Sequence, residues 1–304
     1  MFIEEYLQDL RRDRFAPKAL VRYARRLAGR IRENLDANPG AVRSVWSVAL
    51  GFFVLAFVAA AGIAIAYDRH LAYTFFLNTS VWMLVAFVIV TLSLGALRDR
   101  NGYRLSALNV PIVLTLMRVA LVPGIALFLI DGHFRLALGT FLVAALSDVA
   151  DGWIARRWRQ ITDLGTVLDP IVDIVFNFTL FAGLMLAHLL PAWVFAVAAL
   201  RYGILVVGTA YLYLFVGPVR IHPTLSGRLT GVLMAVLAAF LTLLHIEGGN
   251  WLETLGPLTR IALGVLLSAT VVQVIALGSY NLHRMRGVVP AQGRVVGDVR
   301  WGPQ

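Results

Sequence analysis

Apolar residues run along the chain in eight stretches of roughly 20, the length a helix needs to cross a hydrocarbon core about 30 Å thick. They fall near Val45 to Tyr67, Leu77 to Leu97, Ile112 to Ile130, Phe134 to Ala150, Val167 to Leu190, Ala192 to Phe215, Leu229 to Ile246 and Leu258 to Leu277. The breaks between them are short and are marked by Pro, Gly and His, and no run alternates residue by residue as a transmembrane barrel would. The pattern predicts an all-α integral membrane protein with eight transmembrane helices. Ahead of them, residues 1–43 read as a basic amphipathic segment: Leu20, Ala24, Leu27, Ile31 and Leu35 share a helical stripe, with Arg22, Arg25, Arg26, Arg30 and Arg32 largely off it. Such a helix is expected to lie on anionic lipid headgroups. From about Gly287 the chain turns polar and contains Gly and Pro, so residues 286–304 are expected to be a flexible cytoplasmic tail.

Composition agrees with a bilayer rather than water as solvent. Of 304 residues 59% are hydrophobic and 14% charged, with a mean hydropathy of +0.78. The formal net charge is +10, and Lys18 is the only lysine, so the positive charge is almost all guanidinium, which keeps its proton and can grip phosphate bidentately. Arginine and lysine flank the spans unequally. One set of alternate loops and the two termini carry 22 of them, the other set only Arg69, Arg135 and Arg260. Positive loops stay inside, so both termini are expected in the cytoplasm, with a bacterial inner membrane as the setting. Residues 1–34 are too charged to be a cleavable signal peptide. With no cysteine, disulfides, thiolate ligands and cysteine nucleophiles are excluded. No nucleic-acid partner is expected.

The chemistry concentrates at two successive spans. Asp148 and Asp151 are spaced i, i+3 at the end of the fourth, with Gly152 on the same face; Asp169 and Asp173 are spaced i, i+4 at the start of the fifth, with Gly165 before them and Asn177 after. The two pairs can face each other across a helical hairpin. Four carboxylates so placed repel one another unless cations neutralise them, and all-oxygen ligation favours Mg²⁺, Mn²⁺ or Ca²⁺ over zinc. Two such ions suit displacement at phosphorus. A remaining carboxylate oxygen can take a proton from an attacking hydroxyl. Gly152 and Gly165 lack a Cβ and so allow close approach of a nucleotide, and Arg156, one turn beyond Gly152, can hold a diphosphate.

The stretch from Asp148 through Asp151, Gly152, Ala155 and Arg156, followed after eight residues by Gly165, Asp169 and Asp173, resembles the signature D-x2-D-G-x2-A-R-x8-G-x3-D-x3-D of the CDP-alcohol phosphotransferase family. All eight fixed positions are present. The resemblance covers about residues 106–285 and implies a six-helix catalytic domain there. Two additional transmembrane helices in residues 44–105 and the basic arm lie outside it. It further implies that Asp148, Asp151 and Asp169 are metal ligands, and that Asp173 is both ligand and general base. The ions would be Mg²⁺ or Mn²⁺, two in number. Gly152, Arg156, Thr162, Gly165, Asn109 and Thr115 would contact the CDP-linked lipid. An alcohol would attack the lipid-side phosphorus and CMP would leave. Dimers are common in the family, so a homodimer is a further expectation.

Asp163 to Pro170 and Asn109 to Arg118 are similar to two segments of the phosphatidylglycerophosphate synthase branch, D-x-G-x2-L-D-P and N-x-P-N-x2-T-x2-R. The chain departs from that branch at Ile112, where a second Asn is usual, and at Ile174, where Lys is common. Arg118 and Arg201, inside spans, and Arg228, at a helix start, are the candidates for holding a phosphorylated acceptor such as glycerol 3-phosphate, although an internal salt bridge is the competing role for the first two. Inositol phosphate, serine and choline are alternative acceptors. An alternative of another class is an intramembrane cation transporter with the aspartates on the ion path.

Overall fold

A computed structural model describes residues 16–211 and 225–286, with backbone alone at 19, 225–228, 277 and 280–286. Part of the basic arm, the connection at 212–224 and the predicted tail therefore lie outside the described residues. The described chain is helical: α1 (Pro17–Asp36), α2 (Pro39–Ala66), α3 (Arg69–Leu92), a 3₁₀ turn at Leu94–Ala96, α4 (Val110–Ile130), α5 (Phe134–Arg157), α6 (Asp163–Leu186), α7 (Ala192–Tyr211), α8 (Leu225–Glu247) and α9 (Gly249–Arg286). Eight of these, α2 to α9, are long and apolar enough to cross a membrane, matching the eight predicted stretches in number and order. The stretches predicted to end at Leu97 and Leu190 run past α3, which stops at Leu92, and α6, which stops at Leu186, because apolar loop residues follow both. Most of the helices instead extend beyond their apolar stretch, because hydropathy finds the part that sits in hydrocarbon. Thus α6 begins at Asp163, ahead of its apolar run, since Thr162 caps it by accepting from Gly165 N at 3.1 Å.

Alternate connections gather at opposite ends of the bundle, as an up-and-down chain requires. At one end Asn38 Nδ2 donates to Leu105 O (2.7 Å), Leu108 N donates to Ser44 Oγ (3.0 Å), and Asp99 bridges Thr162. At the other, the rings of Tyr67 and His133 lie 5.4 Å apart, those of Phe134 and His245 5.9 Å apart, and Arg260 Nε donates to Leu189 O at 2.8 Å.

The fourth helix is the centre of the bundle. In its apolar window 61% of residues are buried, against 17–33% in the other spans, and it packs on α3, α5 and α6. Small residues let it do so: a Cβ on Gly183 of α6 would stand 3.0 Å from Leu129, and one on Gly124 would stand 2.9 Å from Phe75 of α3. Apolar packing falls into two clusters. The smaller, at the end carrying Asp99 and Thr162, joins Ala41, Val45, Met83 and Phe87 of α2 and α3 to Ile112 and Leu116 of α4 and Leu164 of α6. The two added helices thus reach the half of α4 that carries the candidate chemistry, and through Ala60, Ile63, Leu71 and Phe75 they join the larger cluster along its other half.

Candidate active site

The residues that matter stand on three helices. Asp148 and Asp151 lie near the end of α5 and Asp169 and Asp173 in the first turns of α6, while Thr115 and Arg118 lie one turn apart on α4. Arg118 is 2% exposed and forms ion pairs with Asp148, with Asp151 at 2.7 Å, and with Asp173. Thr115 Oγ1 lies 3.0 Å from Asp169 Oδ1, 3.3 Å from Asp151 Oδ2 and 3.1 Å from Pro111 O. A hydroxyl has one proton, so Thr115 donates to one of these at a time. The two carboxylate pairs do converge across the α5–α6 hairpin, and α4 supplies the groups on which they converge.

Burial is graded across the cluster. The Arg118 and Asp151 side chains are 3% and 9% exposed, while those of Asp148 and Asp173 are each 56% exposed. The guanidinium is the floor of the site and two of the acids form its open rim. Charge is unbalanced, with four carboxylates against one guanidinium, in surroundings where unpaired charge is costly. Among the described residues no three His, Cys, Asp or Glu side chains stand as an ion-holding group, and Asp148, Asp151 and Asp173 each pair with Arg118. The donor set itself is all oxygen, rich in acid and open on one side, which fits a hard divalent cation.

The groups around the rim are held by local hydrogen bonds. Asn109 caps α4, accepting from Ile112 N at 3.4 Å, while its Nδ2 donates to Gln160 O at 2.6 Å. The side chain of Arg156 folds back along its own helix, so that a Cβ on Gly152 would stand 3.2 Å from its Nη1. A Cβ on Gly165 would stand 3.2 Å from Thr162 Oγ1 and 3.8 Å from Ile112, so that glycine serves the cap and the α4–α6 contact. Asn177 donates to Asp173 O one turn back on α6 at 2.8 Å, a bond any helical Asn can reach.

Of the three arginines expected to hold the acceptor, the two with described side chains stand apart. Arg118 is engaged by the acids, whereas Arg201 Nη1 donates to Tyr202 Oη at 3.1 Å and lies 3.9 Å from Met234 Sδ; the two share no partner. The Arg201 Nε is buried without a partner. Arg228 is in the first turn of α8, and its side chain lies outside the described residues. Sequence reasoning missed the joint role of Thr115 and Arg118 as the surface on which both carboxylate pairs meet. Its signal was present in their i, i+3 spacing inside a span. A cavity of about 540 Å³ bounded by Met185, His188, Pro191 and Arg260 lies at the far end of the bundle and has no carboxylate, so it lacks the means for this chemistry.

The sequence model of the family described as CDP-alcohol phosphatidyltransferase matches residues 108–292. The human cardiolipin synthase (CMP-forming) is 38% identical over 84 residues, 27% of this chain and 28% of that protein. The cardiolipin synthase (CMP-forming) of Streptomyces coelicolor is 30% identical over 158 residues, 49% of this chain and 70% of that protein. The CDP-diacylglycerol–glycerol-3-phosphate 3-phosphatidyltransferase of Aquifex aeolicus is 41% identical over 71 residues, 23% of this chain and 40% of that protein. The chain spans about three tenths of the length of the animal relatives it matches. No solved structure matches it. With well over half of its length matched and its eight signature residues gathered at the facing ends of two successive helices, the chain belongs to the CDP-alcohol phosphatidyltransferase family.

Proposed function

We propose that this protein moves a phosphatidyl group from CDP-diacylglycerol to an alcohol and releases CMP. The observation that carries the reading is the convergence of Asp148, Asp151, Asp169 and Asp173 from two helices on Arg118 and Thr115 of a third. The acceptor oxygen would attack the lipid-side phosphorus as the bond from that phosphorus to the bridging oxygen breaks. CMP would leave with the bridging oxygen, and the hydroxyl proton would pass to Asp173, whose exposed side faces the rim.

The family is generally dependent on divalent metal. Here the four aspartates would hold the ions, Mg²⁺ or Mn²⁺ and two in number, which would neutralise the charge of the diphosphate when bound. Gly152 and Arg156 would take the CDP phosphates, with Gly165, Thr162, Asn109 and Thr115 shaping that side of the site. Arg118 serves as the counter-charge that keeps the acids together, with both of its terminal nitrogens engaged by carboxylates. Arg201 and Arg228 remain the further candidates for holding the acceptor phosphate, the latter from its place at the start of α8 alone. The charge count supports a cytoplasmic site. Leu20 and Leu27 of α1 are 46% and 39% exposed, which supports an amphipathic helix resting on anionic headgroups.

For the acceptor, glycerol 3-phosphate fits the segment likeness at Asn109–Arg118 and Asp163–Pro170. Phosphatidylglycerol is a second reading, favoured by the long match to the Streptomyces cardiolipin synthase, since making cardiolipin with release of CMP requires a phosphatidylated glycerol as acceptor. The cation-transport reading is not favoured, because the acids gather at one end of two helices and not along the depth of the bilayer. The test uses purified full-length protein in nanodiscs with CDP-diacylglycerol and Mn²⁺ or Mg²⁺. Glycerol 3-phosphate, phosphatidylglycerol, inositol phosphate, serine and choline are added separately and CMP is followed. Release with glycerol 3-phosphate or phosphatidylglycerol supports the proposal and chooses between its readings. No release with any acceptor overturns it.

A further inference from the structure

The loop between α5 and α6 follows Arg156 and precedes Gly165, so its path sets the distance between the two halves of the signature. It is not relaxed by itself: Arg159 sits at φ 54°, in the left-handed region that costs a non-glycine residue free energy and persists only where neighbours enforce it. Its own helix end turns back there, Gln160 N donating to Ala155 O at 3.0 Å, and contacts from outside the hairpin hold the residues that follow. Asp163 N donates to Arg98 O at 3.1 Å, Asp99 forms a β-bridge with Thr162, and Asn109 Nδ2 holds Gln160 O.

The segment making these contacts is itself tied down by the added N-terminal part. Asp99 Oδ1 accepts from the amides of Asn101 and Tyr103, both at 2.9 Å, which closes the 99–103 turn. Next along the chain, Arg104 Nη2 donates to Asn34 Oδ1 (3.2 Å), Leu105 O accepts from Asn38 Nδ2, and Leu108 N donates to Ser44 Oγ. Gly95 lies so close under Asn34 that a Cβ there would be 2.6 Å from its Nδ2. Hydrogen bonds thus run unbroken from the end of α1 and start of α2 to the catalytic hairpin, above the apolar cluster that joins α2 and α3 to Ile112 and Leu164.

We propose that α1 to α3 and the 93–109 segment form a brace for the α5–α6 loop, and that Asp99 is its positioning residue, setting the nucleotide side of the site without touching substrate. This rests on the phosphatidyl-transfer reading for its kinetic consequence but not for its structural one. The test compares Asp99→Ala with Asp99→Asn, whose amide oxygen can accept the same two N–H groups, in full-length protein in nanodiscs. In Asp99→Ala, hydrogen exchange of the amides at 160–164 is expected to speed up by about tenfold, the size of one lost hydrogen bond. KM for CDP-diacylglycerol is expected to rise about as much, with kcat and the acceptor KM changed less than about twofold. Asp99→Asn is expected to match wild type in both.

Ser44→Ala, on α2 and distant from the hairpin, is expected to shift the same amides and the same KM to a smaller degree, and decides the matter should Asp99→Ala fail to fold. Unchanged exchange at 160–164 in folded Asp99→Ala or Ser44→Ala overturns the brace. So does Asp99→Asn behaving like Asp99→Ala. A wild-type protein that releases no CMP sinks the functional reading alone, and the exchange result still decides the brace.

Discussion

Arg118 Nη2 stands 2.7 Å from Asp151 Oδ2, a contact between the middle of α4 and the end of α5 that is almost closed to solvent. Around this pair the other acids are arranged, and its removal is expected to expose how much the cluster depends on a central cation. Arg118→Gln leaves the acids without it and is expected to cost about 3–5 kcal/mol of stability, the usual consequence of breaking a buried pair from one side. Added Mn²⁺ should raise the thermal midpoint of the variant more than that of wild type. Equal shifts in the two proteins would count against a shared ion and guanidinium site.

Asp173 is the acid that both pairs with Arg118 and keeps an exposed side. Asp173→Asn preserves its size and removes its basicity. CMP release is expected to fall by about 10²-fold or more, the usual worth of a positioned base, while CDP-lipid binding persists. Turnover at the wild-type rate would refute the assignment.

Gly152 lies under the folded-back Arg156, with 3.2 Å between a Cβ placed there and Nη1. The end of an arginine can yield by a few tenths of an ångström, and alanine favours a helix, so Gly152→Ala should leave thermal stability within about 1 kcal/mol of wild type. What it displaces is the proposed diphosphate ligand. KM for CDP-lipid is expected to rise by about tenfold, and a kinetic assay showing unaltered KM would separate Arg156 from the nucleotide.

Gly124 of α4 is different, because a Cβ there would stand 2.9 Å from Phe75, which is 7% exposed and stacked on Phe128 at 5.5 Å. That ring has little room, and Gly124→Ala is expected to destabilise the fold by about 1–3 kcal/mol. Phe75→Leu in the same chain should recover part of the loss. Thermal unfolding of the two variants checks both statements.

Several features were legible in the sequence because they are local. A hydrocarbon core demands long apolar runs, so the eight spans could be counted from hydropathy alone. Helical spacing placed Asp148 with Asp151 and Asp169 with Asp173 on common faces, and the fixed offsets of the glycines and Arg156 completed the family signature.

What only the tertiary structure decided concerns residues far apart in the chain. The spacing of Thr115 and Arg118 says that they share a face of α4, but not that the face meets the acids 30 to 55 residues later; an arginine in a span satisfies its charge wherever packing brings a partner. Ile112, a departure from the resembling segment when read in sequence, is 1% exposed, next to Gly165, in the cluster that seats the two added helices. Likewise nothing local announces that Asn34 bonds Arg104, 70 residues away, or that Arg98 and Asp99 reach the α5–α6 loop. Hydropathy and helical period fix what a segment buries and which side chains share a face; the pairing of those faces is set by the packing of all the helices at once.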